Sequence, residues 1–308
     1  MTSYANTVIV CLPGMESFAR SLAHLLGVEV AVPLLITFAD GEYEIRFSNP
    51  ELLAKKHVVV VGTMAFPSVH ESSMQLLLLC HEILNARASS IIACIGYCAY
   101  ARHDTPVIGG GESSFAFLVK LLSAAGVHAL YAVELHNPSM ISKLSLPVYS
   151  ISVASCIAEH IQRTFPSLRD ICLVAPDEGA HSRVKEIASM LGVGYLFFIK
   201  ERYATDKTRV VSQEGGCSGS IAIVIDDIID TAGTAIQVSN ILQTQGFKTI
   251  VGYFVHPVLS DDAVQRIIKS PFKQVYVSNT IPMQNSVSKI AVFDIVNAVC
   301  DFLTRHIA

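Results

Sequence analysis

Short apolar segments rich in β-branched residues recur along the whole chain, and helical patterns lie between most of them. The segments are residues 8–12, 58–61, 91–95, 130–133, 172–175, 195–199, 221–225, 250–254 and 275–277. They are apolar throughout rather than at alternate positions, which is typical of parallel strands that are covered on both faces. The pattern predicts an α/β fold with mostly parallel sheets.

A segment near the N-terminus has the pattern of an antiparallel hairpin instead. Residues 35–38 and 44–47 flank the dipeptide Asp40-Gly41. An Asp-Gly step between two apolar segments is a strong hairpin signal. We therefore predict an N-terminal β-hairpin that forms a flap.

A weak internal repeat indicates two domains. Residues 58–95 read as strand, loop, long helix and strand, and residues 221–254 read the same way at similar length. A chain of 308 residues also has about the length of two average domains. We predict domains at residues 1–146 and 147–308, and one continuous sheet is the alternative.

Charge and hydrophobicity argue against several classes of protein. With 22 basic against 26 acidic residues the net charge is −4, which disfavours nucleic acid as a partner. The densest uncharged apolar stretch, residues 91–101, is too short to cross a bilayer, and the first cation is Arg20. The eight cysteines lack the paired spacing of a metal site, so we predict free, buried thiols in a reducing compartment. These features predict a cytoplasmic protein that does not bind membranes.

The segment with the clearest chemistry, residues 224–234, begins as a buried strand and ends in the first turn of a helix. Such a junction presents backbone N–H groups at the carboxyl edge of a parallel sheet, where phosphate binds. Small side chains at Ala232 and Gly233 let a phosphate approach the backbone closely. Thr231 and Thr234 can add hydroxyl donors, so the segment predicts a phosphate site.

Two adjacent acids, Asp226 and Asp227, follow the apolar part of this strand. Their carboxylates can hold sugar hydroxyls directly or through Mg²⁺, since hard cations prefer oxygen ligands. The simpler interpretation is a helix cap beside two solvated acids. A cap does not need adjacent acids after an Ile-rich strand, so a sugar-phosphate site is favoured. The motifs of P-loop proteins, dinucleotide-binding folds, zinc proteases and serine hydrolases are absent from the sequence.

Residues 224–234 resemble the phosphoribosyl diphosphate-binding fingerprint that type I phosphoribosyltransferases share with ribose-phosphate pyrophosphokinases (PRPP synthetases). Further segments resemble the pyrophosphokinase family and, with the fingerprint, cover nearly the whole chain in the family's order. They are residues 38–42, 97–104, 133–136, 174–180 and 199–202. The Gly-Glu step at 111–112 and the run at 175–180 resemble the archaeal type of synthetase more closely.

This resemblance implies two tandem type I phosphoribosyltransferase-like domains with mostly parallel sheets and the hairpin as a flap. The implied enzyme converts ATP and D-ribose 5-phosphate to AMP and 5-phospho-α-D-ribose 1-diphosphate, with Mg²⁺ as cofactor, for nucleotide biosynthesis. A homo-oligomer, dimer or hexamer, is also implied. The implied roles are ATP binding by Phe38, Asp40, Glu42, Arg102 and His103; metal binding by His136 and Asp177; ribose 5-phosphate binding by Asp226, Asp227, Asp230, Thr231, Ala232, Gly233 and Thr234; and catalysis by Lys200 and Arg202.

Several departures from the family's pattern bear on this function. Position 103 is His where the family usually has Gln, and residues 203–207 lack the family's second basic cluster. Residues 105–112 lack the Arg-Ser-Arg stretch that helps to bind regulatory phosphate or ADP, so we expect that regulation to be weak or absent. Residues 62–66 stand where the second domain has its paired acids, which predicts a degenerate sugar site in the first domain. Two alternatives stay open: a non-catalytic regulatory paralogue and a type I phosphoribosyltransferase.

Overall fold

A computed structural model of the chain describes residues 4, 6–103, 112–204, 207–217 and 219–307, without the side chains of residues 140, 142, 143 and 200–213. The chain forms two compact units. The first unit comprises Met1–Ser152, Thr280–Pro282 and Val296–Ala308, and the second comprises Val153–Asn279 and Met283–Ile295. Among the residues described, no helix combines the length and apolar character needed to cross a membrane.

The first unit is built on a six-stranded sheet in the order β2-β1-β5-β6-β7-β8, in which all neighbouring strands are parallel. A separate two-stranded antiparallel sheet, β3-β4, lies between β2 and β5 in sequence. The strands are β1 (Thr7–Cys11), β2 (Glu29–Ala31), β3 (Leu34–Thr37), β4 (Tyr43–Arg46), β5 (His57–Gly62), β6 (Ser90–Ile95), β7 (Ala129–Val133) and β8 (Val148–Ile151). The helices are α1 (Glu16–Leu26), α2 (Val69–Asn85), α3 (Ser114–Ala124) and the C-terminal α8 (Val296–His306), with short 3-10 turns at Pro50–Leu53 and Pro138–Lys143.

Local sequence explains where the helices of the first unit begin. The side chain of Ser68 accepts a hydrogen bond from the N–H of Glu71 at the start of α2. The side chain of Ser113 accepts one from the N–H of Ala116 at the start of α3. Both are favourable N-caps, because each satisfies a backbone donor that has no partner within the helix.

The second unit is built on a seven-stranded sheet in the order β11-β10-β9-β12-β13-β14-β15. Only the pair β10–β11 is antiparallel. The strands are β9 (Ile171–Ala175), β10 (Gly194–Ala204), β11 (Lys207–Gly216), β12 (Ile221–Ile229), β13 (Thr249–Pro257), β14 (Gln274–Ser278) and β15 (Ile290–Phe293). The helices are α4 (Ala154–Thr164), α5 (His181–Leu191), α6 (Gly233–Thr244) and α7 (Ala263–Lys269).

The two sheets repeat one strand order, which accounts for the weak repeat in the sequence. The second unit's order β10-β9-β12-β13-β14-β15 matches the first unit's order β2-β1-β5-β6-β7-β8 strand for strand. The first unit adds the β3-β4 hairpin, and the second adds β11 at its edge. The predicted α/β fold with mostly parallel sheets is confirmed.

The units are not divided at a single point in the chain. The first unit continues to Ser152, six residues beyond the predicted boundary after Leu146. It also includes Thr280–Pro282 and the whole of α8, which the prediction assigned to the second domain. The boundary was predicted from local turn signals, which carry no information about a later return of the chain to its first unit.

The prediction of free thiols throughout is wrong for two cysteines. Cys172 on β9 and Cys217, just after β11, form a disulfide across the sheet of the second unit. The other six cysteines are free, and Cys80, Cys94 and Cys98 are buried. Burial raises the pKa of each of these three thiols to about 12, which makes them inert apolar side chains. The pairing joins residues 45 apart in sequence, so no local spacing indicates it.

A histidine that packs α4 against the second sheet should make stability depend on pH. Nδ1 of His160 lies 2.8 Å from the hydroxyl of Tyr253, and the ring packs edge-on against Tyr276. Burial, with a smaller effect of Arg163, lowers the pKa of His160 below the ordinary imidazole value of 6.5. The unfolded chain therefore binds a proton more readily than the folded one, and the free energy of unfolding falls as pH drops below 6.5.

We expect His160→Asn to flatten this part of the pH dependence, because the side-chain amide can still form a hydrogen bond with the hydroxyl of Tyr253 but does not titrate. The measurement is urea denaturation of both proteins from pH 7.5 to pH 5.5. His81→Asn, at an exposed histidine on α2, controls for the substitution itself. An unchanged pH slope in the His160 variant would contradict the assignment.

Candidate functional site

The candidate site of the second unit lies at the carboxyl edge of its sheet, where β12 extends beyond its neighbour β9. The pairing of β9 with β12 ends at Val174 and Val224. On its other side β12 continues beside β13 as far as Ile229. The strand thus ends four residues later than the predicted 225, and Asp226 and Asp227 lie within it rather than after it.

The two acids of β12 lie in direct contact. The N–H of Asp227 donates to Oδ1 of Asp226 at 2.9 Å, and Asp227 is buried with 6% of its surface exposed. Burial raises the pKa of the Asp226 carboxyl well above its usual range, and the charges of Asp227 and Asp177 raise it further. The guanidinium of Arg183 opposes this rise. Cations and hydroxyl donors are the groups that such a concentration of carboxylates would attract.

Asp177 belongs to the same edge, because it follows β9, the strand next to β12. It is partly buried and lies in the turn that leads into α5, where its Oδ1 accepts a hydrogen bond from the N–H of Ala180 at 3.3 Å. The structure therefore brings together three of the residues that the sequence predicted, Asp177, Asp226 and Asp227.

Arg183 is a site residue that the sequence analysis missed. It lies in the first turn of α5 and acts on the charge of Asp226. A cation is unfavourable in the first turn of a helix, because that end of the helix dipole is positive. A cation at this unfavourable position, shortly after Asp177, was therefore the sequence signal that could have identified Arg183. Nearby carboxylates offset the unfavourable interaction of its charge with the helix dipole.

The loop from Asp230 to Gly233 joins β12 to α6 and has the backbone shape of an anion site. Ala232 has φ +63° and ψ 2°, which is the left-handed conformation. A non-glycine residue in this conformation is uncommon and is found most often at functional sites. Thr231 and Gly233 are exposed, while Asp230 and Thr234 are partly buried. A turn that combines left-handed and helical residues at a helix N-terminus can direct successive N–H groups at one anion.

A second cation lies beside this loop. Nη1 of Arg266, on α7, donates to the carbonyl oxygen of Thr231 at 3.1 Å. Arg266 comes 35 residues after Thr231, so the sequence analysis did not connect the two.

The segment with the two predicted catalytic cations is part of strand β10. The backbone of β10 continues through Lys200 and Arg202, which pair with Val210 and Thr208 of β11. The register shifts between Ile199 and Lys200 and again before Ala204. The side chains of Lys200 and Arg202 lie outside the described part of the structure, so their role stays a prediction.

In the first unit, the predicted hairpin is confirmed. Strands β3 and β4 pair antiparallel, and the N–H of Phe38 donates to the carbonyl of Glu42 at 2.9 Å. Oδ1 of Asp40 accepts from the N–H of Glu42 at 3.1 Å, and Gly41 takes a φ of +91° that favours glycine. Phe38 is 48% exposed at the tip. The three residues predicted to bind ATP, Phe38, Asp40 and Glu42, thus lie together in one turn.

The other predicted residues of the first unit follow two neighbouring strands. Arg102 and His103 come after β6, and His136 comes after β7. All three are exposed. Because β6 and β7 are parallel neighbours, the segments that carry these residues both leave the sheet at its carboxyl edge. Of residues 105–112, whose sequence predicts weak phosphate regulation, only Glu112 lies within the described part.

The first unit's counterpart of the phosphate loop begins with two buried residues. Thr63 and Met64 follow β5, the equivalent of β12, and both are completely buried. A β-carbon on the nearby Gly14 would lie 2.9 Å from the ring of Phe66, so this part of the loop is tightly packed. Ala65 and Phe66 of the same segment are partly exposed, and the degenerate sugar site stays a prediction.

The donor set of the second unit fits Mg²⁺ in one respect. Its carboxylates are the oxygen ligands that Mg²⁺ prefers, and this ion usually takes only one or two of them beside water and substrate phosphates. Within the described residues, no three His, Cys, Asp or Glu side chains are grouped closely enough to enclose a metal ion. The arrangement therefore suits an ion that arrives with a phosphate ligand better than a permanently bound one.

Comparison with known proteins identifies the family. Residues 7–126 match the model of the N-terminal domain of ribose phosphate pyrophosphokinase, and residues 193–307 match a phosphoribosyl synthetase-associated domain. A ribose-phosphate pyrophosphokinase of Methanopyrus kandleri is 30% identical over 273 residues, which cover 89% of this chain and 91% of the relative. The chain belongs to the ribose-phosphate pyrophosphokinase family.

Other members of the pyrophosphokinase family are similarly close. The Bacillus subtilis enzyme is 30% identical over 278 residues, covering 90% of this chain and 86% of that one. The Aquifex aeolicus enzyme is 29% identical over 291 residues, covering 94% and 92%. Since bacterial and archaeal relatives are equally similar, the resemblance to the archaeal type stays a prediction. The crystal structure of phosphoribosylpyrophosphate synthetase from Mycobacterium smegmatis superposes with a TM-score of 0.84 at 25% identity, covering 97% of this chain and 98% of that one.

Proposed function

We propose that this pyrophosphokinase family member is an active synthetase that transfers a pyrophosphoryl group from ATP to ribose 5-phosphate. The observation that carries the proposal is the second unit's sheet edge, where β12 carries the adjacent acids Asp226 and Asp227, the second of them buried, and the loop after the strand exposes Thr231 and Gly233. The 1-hydroxyl oxygen of the sugar attacks the β-phosphorus of ATP. The bond from that phosphorus to the α,β-bridging oxygen breaks, AMP leaves, and the hydroxyl proton passes to solvent.

The second unit would bind the sugar. The backbone from Asp230 to Thr234 would hold the 5-phosphate, since a left-handed turn at a helix N-terminus can direct successive N–H groups at one anion. Asp226 and Asp227 would orient the ribose hydroxyls. The raised pKa of Asp226 supports this role. Two adjacent carboxylate charges are unfavourable without a partner, so a ligand whose hydroxyl groups donate hydrogen bonds to them stabilises the pair.

The first unit would bind ATP. Phe38 offers an exposed ring for the adenine, and Asp40 and Glu42 lie in the same turn. Arg102 and His103 at the edge after β6 would contact the phosphates or the base. These assignments come from the family resemblance, and the shared turn and shared sheet edge support them.

Asp177 in the second unit and His136 in the first are the Mg²⁺ ligands that the family resemblance implies, and each would act together with substrate phosphates. When bound, the ion neutralises phosphate charge and so favours attack on the β-phosphorus. Lys200 and Arg202 would stabilise the negative charge that develops on the transferring group.

Three further properties are part of the proposal. We expect a homo-oligomer, because the family resemblance implies a dimer or hexamer. We also expect a cytoplasmic location, for the reasons of charge and hydrophobicity given in the sequence analysis. We also expect little activation by phosphate and little inhibition by ADP, because residues 105–112 lack the Arg-Ser-Arg stretch.

The test is AMP release from ATP and ribose 5-phosphate, with Mg²⁺ and no nucleobase, with and without added phosphate. Formation of AMP and 5-phosphoribosyl 1-diphosphate in equal amounts supports the synthetase. Consumption of 5-phosphoribosyl 1-diphosphate only when a base is supplied would instead indicate a phosphoribosyltransferase. Binding of both substrates without turnover would indicate a regulatory paralogue.

A further inference from the structure

Arg266 lies on a helix that packs against the core of the second unit. It lies on the exposed side of α7, whose Ala263 and Ile267 are completely buried in the core of the second unit. These two residues are four apart and anchor one face of the helix. From this helix the guanidinium reaches the loop after β12, where it donates to the carbonyl oxygen of Thr231 at 3.1 Å.

This hydrogen bond fixes the orientation of one peptide group. In a trans peptide the C=O and the following N–H point in opposite directions. A donor that holds the carbonyl of Thr231 on one side therefore holds the N–H of Ala232 on the other. Ala232 is the residue in the left-handed conformation, and this conformation is costly for a residue with a β-carbon. The peptide would relax more easily if the bond were absent.

We propose that Arg266 is a positioning residue for the sugar phosphate in the proposed pyrophosphoryl transfer. It holds the peptide between Thr231 and Ala232 so that the N–H of Ala232 is directed at the 5-phosphate. It also places a positive charge beside a loop that must accept an anion. The inference rests on the proposed function, since it assigns a residue to the same phosphate loop.

The alternative is that Arg266 only ties α7 to the loop and so contributes to stability alone. The two roles differ in what they change. A positioning residue affects the binding of ribose 5-phosphate and leaves the binding of ATP unaltered. A structural tether affects the melting temperature and leaves both affinities as they are.

The experiment measures the Kd of ribose 5-phosphate by calorimetry and the KM of each substrate for wild type, Arg266→Gln and Arg266→Lys. We expect Arg266→Gln to raise both the Kd and the KM for ribose 5-phosphate about tenfold, because a charge-assisted hydrogen bond is lost. The KM for ATP should stay unchanged. Arg266→Lys keeps the charge and one donor but not the planar fork, so it should recover part of the affinity.

Arg305→Gln is the matched control. Nε of Arg305 also donates to a main-chain carbonyl, that of Asp301 at 3.0 Å, but within α8 of the first unit. Its loss should leave the KM for ribose 5-phosphate unchanged. If Arg266→Gln does not fold, a wild-type KM in Arg266→Lys together with a wild-type Kd would overturn the inference.

The outcomes separate this inference from the proposed function. If the wild type does not bind ribose 5-phosphate, both fail. If the wild type binds it and Arg266→Gln binds it equally well, the proposed function stands and the role of Arg266 is refuted. A fall in melting temperature without any change in Kd would likewise refute the role.

Discussion

Lys200→Ala should reduce kcat by about 10²–10³-fold, which is the usual cost of removing one preorganised group that stabilises charge in a transition state. The backbone of Lys200 on β10 pairs with Val210 of β11, and this pairing does not depend on the lysine side chain, so the substitution should leave the fold intact. Binding of ATP and of ribose 5-phosphate should change much less than kcat. Steady-state kinetics with both substrates, together with a thermal melt, measures these effects.

Lys185→Ala is the control for this prediction. Lys185 is an exposed lysine on α5 of the same unit, and it lies outside the proposed site. Its removal should leave kcat at the wild-type level. Full activity in Lys200→Ala would overturn the catalytic role. If Lys200→Ala does not fold, Lys200→Arg tests the role instead, because it retains the positive charge and should retain part of the kcat.

Asp226→Asn should make the protein more stable and less able to bind its sugar. The pKa of Asp226 is raised because its charge is unfavourable beside Asp227 and Asp177 in a poorly solvated place. Asparagine removes that charge and keeps the oxygen that accepts from the N–H of Asp227. We expect a gain of roughly 0.5–2 kcal/mol in the free energy of unfolding, which is the usual effect of one substitution that removes an unfavourable interaction. Affinity for ribose 5-phosphate should fall about 10- to 100-fold, since charge-assisted hydrogen bonds contribute about 1.5–3 kcal/mol.

The pH dependence of the stability difference provides a second measure. The Asp226 carboxyl titrates near 3.8 in the unfolded chain and at a higher pH in the folded one. The wild type's free energy of unfolding therefore falls as pH rises from about 3.8 through the raised pKa, and Asp226→Asn lacks this fall. The difference between the two proteins should be small near pH 4 and grow towards pH 7. Asp301→Asn, at an exposed acid on α8, should show no such trend, and a destabilised Asp226→Asn protein would contradict the account.

The sequence predicted those features that depend on local signals. Apolar segments identified nine of the described strands but not β2, β8, β11 or β15. Asp40-Gly41 identified the hairpin, and residues 224–234 identified the strand–loop–helix junction. Each of these patterns reports burial or backbone conformation over a few neighbouring residues. The position of Asp226 within β12 was missed because its pairing with Phe254 on β13 allows an acid to continue the strand.

The remaining features depend on contacts between distant residues. The Cys172–Cys217 disulfide, the bond from Arg266 to Thr231 and the effect of Arg183 on Asp226 all join elements that are far apart in the chain. The extension of β10 through Arg202 depends on β11, a partner strand that does not have a continuous apolar pattern. No composition or spacing rule reports such pairings, so a single sequence leaves them open.

The return of the C-terminal residues to the first unit limits how the gene can be divided. The ring of Phe302 lies 5.3 Å from that of Tyr131 on β7, and the hydroxyl of Tyr4 donates to the carbonyl of Thr304 at 3.1 Å. A recombinant fragment that stops at Ser152 would expose the surface that α8 covers, while the complementary fragment would carry α8 without its partner. A fragment that ends at Ser152, or a bulky group attached after α8, would therefore disturb the packing of the first unit.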